Sequence, residues 1–321
     1  MTSSNLRSTM LVLFDKAGML IVLALLFLAC SIWVPNFSSW VNVKGLGLSV
    51  STIGIVSCSM LFCLASGDFD LSVGSVVACA GVVAAVVMAK TGSITAGVLA
   101  ALALGLAVGF VNGFVVAQLK INALITTLAT MQIVKGLSYI ISGGSPVSIV
   151  RPEFYSLGIT SFWGLPTPVW IMIACFVVFG FVLDRTTFGR NSLAIGGNFE
   201  AGRLAGIAVV RTKIVIFCLV GLMSAFAGII SAARMTSGQP LPPAAFELQV
   251  IAACVLGGVS LTGGIGNIWY VIAGVLIMGI VENAMNLLNV PTFYQNVARG
   301  VILLIAVLID RVKQKQMGRA G

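Results

Sequence analysis

The sequence contains no histidine and very few charged residues. Histidine is the commonest metal ligand and the usual general base near neutral pH, so its absence from all 321 residues excludes zinc hydrolase and Ser-His-Asp chemistry. Only 8% of the residues are charged, compared with about a quarter in ordinary soluble domains, while 59% are apolar. This composition leaves too little polar surface for folding in water. We therefore expect the chain to fold in a lipid bilayer, without a separate soluble catalytic domain.

The cysteines and the net charge indicate no further chemistry. The formal net charge is +9, but the basic residues do not cluster on one face, as a nucleic-acid partner requires. We expect neither a nucleic-acid partner nor a metal site. The seven cysteines lie singly inside apolar runs, without the spacing of a metal site or a disulfide framework. We interpret all seven as small buried apolar residues: Cys30, Cys58, Cys63, Cys79, Cys175, Cys218 and Cys254.

Ten long apolar runs predict an all-α, polytopic membrane protein that forms a single transmembrane domain over residues 1–321. At about 20 residues per span, ten helices use roughly 200 residues and leave only short loops. The first run is long enough to span and is followed by nine more, which favours a membrane helix over a cleaved signal peptide. The predicted spans are 18–34, 46–65, 71–89, 93–117, 121–141, 168–184, 212–232, 248–262, 267–284 and 294–310.

The distribution of lysine and arginine predicts that both termini lie in the cytoplasm. Lys135 and Arg299 fall within predicted spans, and the other basic residues divide unequally between the two sides. In this orientation four lie outside: Lys44, Lys90, Arg151 and Arg234. Twelve lie inside: Arg7, Lys16, Lys120, Arg185, Arg190, Arg203, Arg211, Lys213, Arg311, Lys313, Lys315 and Arg319.

Two connecting loops are long enough to have structure of their own. The outer loop, 142–167, is rich in glycine, proline and aromatic residues, and we expect it to fold as short interfacial pieces. The inner loop, 185–213, contains helix-compatible residues over 198–204, with Asn198 as a candidate cap and Glu200 in the first turn. This pattern predicts a short amphipathic helix on the cytoplasmic side. A solvated connector is the alternative interpretation.

A polar break separates the second apolar run from the third. Segment 67–75 contains Asp68 and Asp70 between two apolar stretches. It would form either a tight inner turn, with Asp70 as an ordinary helix cap, or a broken helix. In the second case Ser72 and Gly74 would begin a new helix beside water. An ionisable residue at membrane depth usually faces protein or water, so both interpretations keep the aspartates away from lipid.

A second break is glycine-rich, and a faint internal repeat surrounds it. Residues 256–266 contain five glycines, so this stretch cannot form a stable lipid-facing helix and must be buried or line a cavity. Residues 109–113 resemble 279–283, and a shift of 170 also superposes the spans that follow. Five crossings separate the two copies, which predicts opposite orientations, as in inverted-repeat transporters. Chance similarity between glycine-rich helices is the alternative.

The span 121–141 is unusually polar. Asn122, Thr126 and Thr130 are spaced by four residues and therefore share one helix face. Hydroxyls and amides suit the passage of an uncharged polyol, although the same groups commonly form hydrogen bonds between helices. The candidate translocation pathway comprises Asp68, Asp70, Ser72, Asn122, Thr126, Thr127 and Thr130.

Two further features predict contacts between helices. Glu282 and Arg299 lie on adjacent spans and could form a structural ion pair. Gly105, Gly109 and Gly113 repeat at four-residue spacing, which favours close packing of that span against a neighbour.

Five sequence stretches carry a family resemblance. Over nearly its whole length the chain resembles the permease subunits of bacterial ABC importers for ribose, xylose, galactose and arabinose. The matching stretches are SGDFDLSVGS at 66–75, KINALITTLATMQ at 120–132, AIGGN at 194–198, CVLGGVSL at 254–261 and VENAMNLL at 281–288.

The resemblance implies an ATP-driven importer of L-arabinose, or of a closely related monosaccharide, in the bacterial inner membrane. It implies three protein partners: a periplasmic sugar-binding protein, a cytoplasmic ABC ATPase and a second copy of this chain. The chain has no G-x-x-x-x-G-K-[ST] phosphate loop, so ATP is expected on the ATPase and no cofactor on this chain. The inner helix would couple the two subunits, through Gly196, Gly197, Asn198, Glu200, Ala201, Arg203 and Gly206.

Two other classes of protein compete with this interpretation. A secondary sugar carrier or facilitator would work without an ATPase, and such carriers also use intramembrane acids such as Asp68, Asp70 and Glu282. The basic inner loop with its capped helix favours the ABC permease. A membrane-embedded enzyme is disfavoured because histidine and a compact set of acids and nucleophiles are both absent.

Overall fold

The computed structural model describes the backbone of residues 3–316. The predicted inner residue Arg319 lies outside the described residues, and so do the side chains of Arg7, Lys16, Lys313 and Lys315. The helices are α1 (Ser3–Trp33), α2 (Trp40–Ala65), α3 (Val73–Thr91), α4 (Ile94–Gly113), α5 (Ala123–Ser142), α6 (Pro152–Ile159), α7 (Thr167–Arg185), α8 (Thr187–Gly197), α9 (Phe199–Leu204), α10 (Val209–Met235), α11 (Phe246–Leu256), α12 (Ile268–Leu287) and α13 (Thr292–Gln316).

Eight helices in the described part of the chain are long and apolar enough to cross a membrane: α2, α3, α4 with its π-helical extension Phe114–Gln118, α5, α7, α10, α12 and α13. They confirm the all-α, polytopic class. The apolar part of α1, Gly18–Trp33, and the whole of α11 are shorter. The predicted span 248–262 is wrong at its C-terminal end, because α11 stops at Leu256 where the glycine-rich stretch begins. Gly258 there adopts a positive φ of 78°, which no helix accommodates.

Small residues bring α4 into close contact with α10, as predicted. A Cβ atom at Gly105 or Gly109 would overlap a backbone carbonyl oxygen of α10. A Cβ atom at Gly113 would lie 2.8 Å from the Cα atom of Ile214. Three consecutive turns of α4 therefore touch the α10 backbone directly, the type of packing that small residues allow between membrane helices.

The helix bounds support the predicted internal repeat. Shifting α2, residues 40–65, by 170 positions gives 210–235, and α10 occupies 209–235. The same shift carries α5 onto 293–312, which lies within α13. It carries α3 and α4 onto the regions of α11 and α12, offset by a few residues at the ends. The two copies are thus α2–α5 and α10–α13.

The packing of the two copies has the same symmetry. The first helix of each copy packs against the other copy, so α10 contacts α3 and α4, whereas α2 contacts α11 and α12. Helices α2 and α10 are antiparallel. The segment after α2 approaches the start of α10 through Asp68 and Lys213, and Leu48 near the start of α2 contacts Arg234 near the end of α10. The repeat is therefore inverted, as the odd number of crossings predicted.

Burial follows from this arrangement. The C-terminal two thirds of α2 are surrounded by α7, α10, α11 and α12, and Ile55, Leu61 and Phe62 are fully buried. At the opposite extreme, α5 and α13 are the least buried of the long helices, together with α4. The two fourth helices of the repeat thus lie at the periphery of the single chain.

The outer loop is built of short pieces, as predicted. It contains α6 and three two-residue strands. Two of these strands pair with each other, with Ser161 opposite Pro166, and the third pairs with a strand outside the loop, with Val147 opposite Gly238; both pairs are antiparallel. The second pair ties this loop to the segment between α10 and α11. The strands are β1 (Val147–Ser148), β2 (Ser161–Phe162), β3 (Leu165–Pro166) and β4 (Ser237–Gly238).

Candidate transport and coupling sites

The break between α2 and α3 is a structured polar turn. Helix α2 stops at Ala65, Gly67 takes a positive φ of 82°, and α3 begins at Val73. Ser72 occupies the N-cap position of α3, and the Asp70 carboxylate accepts hydrogen bonds from the Ser72 backbone N–H at 2.8 Å and from the Ser72 hydroxyl at 2.6 Å. The segment is thus a turn between two separate helices, with Ser72 rather than Asp70 at the N-cap position of α3.

This turn belongs to a buried network that joins three helices. Asn112 of α4 donates to the Ser72 hydroxyl at 3.1 Å and, more weakly, to Asp70 at 3.5 Å. Its carbonyl oxygen accepts a 2.7 Å hydrogen bond from Thr130 of α5. Asp70, Ser72 and Asn112 are each no more than 1% exposed. Burial raises the pKa of Asp70, and the hydrogen bonds from Ser72 and Asn112 oppose that rise.

Sequence reasoning did not select Asn112 as a site residue. The residue was visible as part of the repeated stretch 109–113, and a single amide in an apolar span is itself a signal, since it needs a partner in the membrane. What the sequence did not indicate is that this amide lies between the aspartate turn and Thr130.

The remaining polar residues of α5 are engaged locally. Asn122 caps the helix by accepting from the Leu124 backbone N–H at 2.9 Å. Thr126 and Thr127 donate to carbonyl oxygens four residues earlier, at 3.0 Å and 2.8 Å. Of the predicted pathway residues, the structure therefore brings together Asp70, Ser72 and Thr130. It leaves Asn122, Thr126 and Thr127 outside the network, and their part in translocation stays a prediction.

Asp68 belongs to a different cluster at the same end of the bundle. Its carboxylate lies 2.8 Å from the Lys213 ammonium of α10, and that ammonium lies 5.9 Å from the centre of the Phe199 ring. Burial raises the pKa of Asp68, and the charge of Lys213 opposes the rise. A cavity of about 650 Å³ adjoins the pair and is also lined by Lys120 and Asn122. The cluster therefore connects the α2–α3 turn with α10 and with the inner loop.

The inner loop contains two helices rather than the single short helix predicted over 198–204. Helices α8 and α9 are separated by Asn198, whose backbone is extended and cannot belong to either. Its side chain caps α9 by accepting from the Ala201 backbone N–H at 2.9 Å, as predicted. Helix α9 ends at Leu204, and Gly206, with a φ of 83°, reverses the chain.

Helix α9 is exposed to solvent on one side. Glu200 in its first turn and Arg203 form an ion pair of 3.0 Å, with about two thirds of each side chain exposed. Ala201 and Leu204 are also exposed, Leu204 by 80%. An exposed pair of this kind contributes little to stability, so its charges are available for a partner.

The preceding residues seat this loop on the helix bundle. A Cβ atom at Gly196 would overlap the Ala65 carbonyl oxygen at the end of α2, and Gly197 contacts the Gly264 region. The Gly264 backbone N–H donates to the same Ala65 oxygen at 2.8 Å. The α8–α9 connection and the α11–α12 connection therefore meet at the end of α2, and a Cβ atom at Gly196 or Gly264 has no room there. Movement of α8 and α9 would be transmitted directly to α2 and to the α11–α12 connection.

At the other end of the bundle, Glu282 of α12 and Arg299 of α13 form the predicted ion pair. Neighbouring amides reinforce the α12 surface: Asn283 exchanges two hydrogen bonds with Asn42, at 2.8 Å and 2.9 Å. Gln295 donates to Asn286 at 2.9 Å. This end of the molecule thus holds α2, α12 and α13 together by polar contacts.

The architecture and these sites agree with the comparison to known proteins. Residues 42–307 match the family described as the permease component of branched-chain amino acid transport systems. The chain belongs to this permease family. It is a multi-pass protein of the bacterial inner membrane, as its composition and resemblance predicted.

Individual relatives are similar over almost their full length. The chain is 64% identical to the L-arabinose transport system permease protein of Escherichia coli (strain K12), over 94% of this chain and 92% of that protein. It is 50% identical to the L-arabinose ABC transporter permease protein of Azospirillum brasilense, over 95% and 90%. It is 40% identical to the ribose import permease protein of Bacillus subtilis (strain 168), over 93% and 94%. No solved structure matches the chain.

Proposed function

We propose that this chain is the permease subunit of an ATP-driven importer of L-arabinose. The observation that carries the proposal is the order of similarity, because two arabinose permeases are 64% and 50% identical whereas the ribose permease is 40% identical. All three alignments cover at least nine tenths of this chain. The sugar is therefore proposed from similarity, while transport as such follows from membership of the family.

The inner loop is proposed as the contact with a separate ATPase. The residues involved are those predicted: Gly196, Gly197, Asn198, Glu200, Ala201, Arg203 and Gly206. The exposed face of α9 supplies a surface, and the glycine contacts of Gly196 supply a rigid connection to α2. Closure of the ATPase on α9 would then tilt the inner end of α2 and open or close the pathway.

A second copy of the chain and a periplasmic sugar-binding protein complete the proposed importer. The exposure of α5 and α13 supports pairing of two copies, since both helices have apolar outer faces that a neighbouring copy could cover. Asp68, Asp70, Ser72, Asn122, Thr126, Thr127 and Thr130 are proposed to line or control the pathway at its cytoplasmic end.

The orientation can be checked by labelling. A cysteine at exposed Ala194 of α8 should react only from the cytoplasmic side, and one at exposed Ser156 of α6 only from the periplasmic side. Ser192, which is equally central in the inner loop, is fully buried and is unsuitable as a labelling position. Reaction of both cysteines from one side would contradict the proposed topology.

Reconstitution tests the function itself. The chain is placed in vesicles with and without the candidate ATPase and binding protein, and uptake of labelled L-arabinose is measured. We expect uptake only when ATP and both partners are present, and we expect it to survive collapse of the proton gradient. Uptake that an uncoupler abolishes while ATP is held constant would favour the secondary carrier instead.

A further inference from the structure

A polar cavity lies at the end of the bundle opposite the aspartate turn. Its volume is about 480 Å³, within the range of about 300–1,000 Å³ that is typical of small-molecule sites. It is bounded by α2, α3, α10, α11 and α12 of a single chain. Four of these helices contribute polar side chains to its lining: Thr52, Ser231, Arg234, Gln249, Asn283 and Asn286.

Gln249 is the most informative of these residues. It is only 7% exposed, yet its side-chain amide makes no hydrogen bond to any residue that the structure describes. Thr52 of α2, which is partly buried, lines the same cavity and has a hydroxyl without a partner among the described residues. Buried polar groups are normally hydrogen-bonded, and leaving one unpaired is costly. The cavity therefore presents hydrogen-bonding groups whose natural partner is a ligand or the water that a ligand replaces.

The other polar groups are held in place. Arg234 is anchored by one hydrogen bond of 3.3 Å to the Leu48 carbonyl oxygen, which leaves its remaining N–H groups free of described partners. The Asn283 amide is fixed by its double hydrogen bond to Asn42. A set of oriented donors and acceptors around a cavity is what recognition of a polyhydroxylated molecule requires.

The inverted repeat shows that the fold does not need these polar groups. Under the shift of 170, four of the lining residues correspond to apolar positions at the cytoplasmic end. The pairs are Ser231 with Leu61, Arg234 with Leu64, Gln249 with Cys79, and Asn286 with Val116. The same helix contacts are thus made at the other end by apolar side chains. These four polar side chains are thus specific to one end of the bundle, as expected for a site that receives a solute from that side.

We propose that this cavity binds one neutral monosaccharide on the outer side of each permease chain, with Gln249, Thr52 and Arg234 as its direct contacts. The proposal rests on the proposed function, which brings a sugar to this side of the membrane. The sugar hydroxyls accept from Arg234 and exchange hydrogen bonds with the Gln249 amide and the Thr52 hydroxyl. The site would hold the sugar after its release from the binding protein.

Transport kinetics test the role of Gln249 in the complete complex with its ATPase and binding protein. We expect Gln249→Leu to lower uptake of L-arabinose by about tenfold, the effect of losing one hydrogen bond to a buried ligand, while stimulation of ATP hydrolysis by the loaded binding protein persists. Gln249→Asn, which keeps an amide, should lose less. Gln118→Leu, at an exposed position outside the cavity, is the matched control and should behave as the unmodified chain. Equal uptake by Gln249→Leu and the control would overturn the proposal.

Protection from labelling tests occupancy directly. Thr52→Cys and the control Ser156→Cys are reacted with a membrane-impermeant thiol reagent, and the unmodified chain serves as the blank. We expect L-arabinose to slow the reaction at position 52 and not at position 156. Protection by the anion L-arabinonate but not by L-arabinose would overturn the neutral class of ligand, and no protection by either would overturn the site. If the unmodified complex takes up no L-arabinose at all, the proposed function fails, and that result is distinct from these.

Discussion

The two ends of the bundle make the same helix contact with different chemistry. Positions 112 and 282 are equivalent under the shift of 170. Asn112 links α4 to Thr130 of α5, and Glu282 links α12 to Arg299 of α13. The first contact is neutral and sealed, because Asn112 is fully buried beside Asp70. The second is an ion pair beside an open polar cavity, and 30% of the Glu282 side chain is exposed.

The comparison distinguishes a helix contact that both copies share from polar side chains that differ between the two ends of the bundle. Both copies need a polar contact between their third and fourth helices, since a contact of this kind fixes two membrane helices against each other. In the copy α2–α5, the contact adjoins the Asp70 carboxylate, which accepts hydrogen bonds from Ser72 and Asn112. In the copy α10–α13, the contact adjoins the amides of Asn283 and Asn286, which line the cavity. The helix geometry is thus shared, while the polar chemistry is not.

The largest expected effect comes from the equivalent glycines of the two copies. A Cβ atom at Gly109 would overlap the backbone of α10 at Phe217, whereas one at Gly279 would meet the side chain of Val50. We expect Gly109→Ala to cost about 3 kcal/mol or more and Gly279→Ala about 1 kcal/mol, because a side chain can shift and a helix backbone cannot. Thermal unfolding in detergent measures both. Gly136→Ala, where no atom lies nearby, is the control, and equal losses at positions 109 and 279 would contradict the comparison.

Removing the carboxylate of the inner network should have the next largest effect. Asp70→Leu leaves the Ser72 N–H and hydroxyl without their acceptor and removes the weaker of the two acceptors of the Asn112 amide, at a cost of about 2–4 kcal/mol. It also joins two apolar runs, so poor insertion and loss of uptake are expected. Asp70→Asn keeps an acceptor oxygen and should retain most of the folded protein. Membrane yield and uptake are the measurements, and normal values for Asp70→Leu would show that the glycines alone form the turn.

A double-mutant cycle measures the coupling energy between Glu282 and Arg299 apart from their other contacts. Arg299→Leu leaves Glu282 partly buried without its partner and should destabilise the protein by about 1–3 kcal/mol. Adding Glu282→Leu should recover part of that loss, since the unpaired charge is then gone. Unfolding of the two single variants and the double variant gives the coupling energy. An additive double variant would mean that the pair does not hold α12 to α13.

The smallest effect on stability is expected at the exposed helix of the inner loop. Glu200→Arg replaces an exposed ion pair by two like charges, at a cost below about 1 kcal/mol. Association with the ATPase and uptake should nevertheless fall together. Glu153→Arg, in the first turn of the outer helix α6, is the matched control and should leave both unchanged. Unaltered assembly and uptake by Glu200→Arg would reduce α9 to a connector.

Much of the inner loop was predictable because its sequence signals are local. The cap at Asn198 depends on residues within three positions, and side-chain preferences at such distances can be seen in the sequence. The glycine spacing on α4 likewise predicted close packing without identifying the partner helix. The division of the loop into α8 and α9 was missed, because Asn198 is compatible with ending one helix as well as beginning the next.

The outer cavity was not predictable in the same way. Thr52, Arg234, Gln249 and Asn283 lie on four helices separated by long stretches of sequence, and each is unremarkable alone. Helical spacing could group only the candidate pathway residues of one span, 121–141. Of that group, the structure joins Thr130 alone to Ser72 and Asp70, and it does so through Asn112.

The sequence by itself determined the solvent, the class and the repeat of this protein. A charged fraction of 8% and a repeat at a shift of 170 residues can both be seen in the chain without any knowledge of its packing. A bilayer requires apolar side chains and hydrogen bonding within each helix, and both requirements are local. Tertiary structure alone decided which polar groups meet. Asn112 reaches Ser72 because α3 packs against α4, and Gln249 and Thr52 line one cavity because the first helices are exchanged between the copies, which places α2 against α11. That exchange depends on contacts between residues far apart in the chain, which no local pattern records.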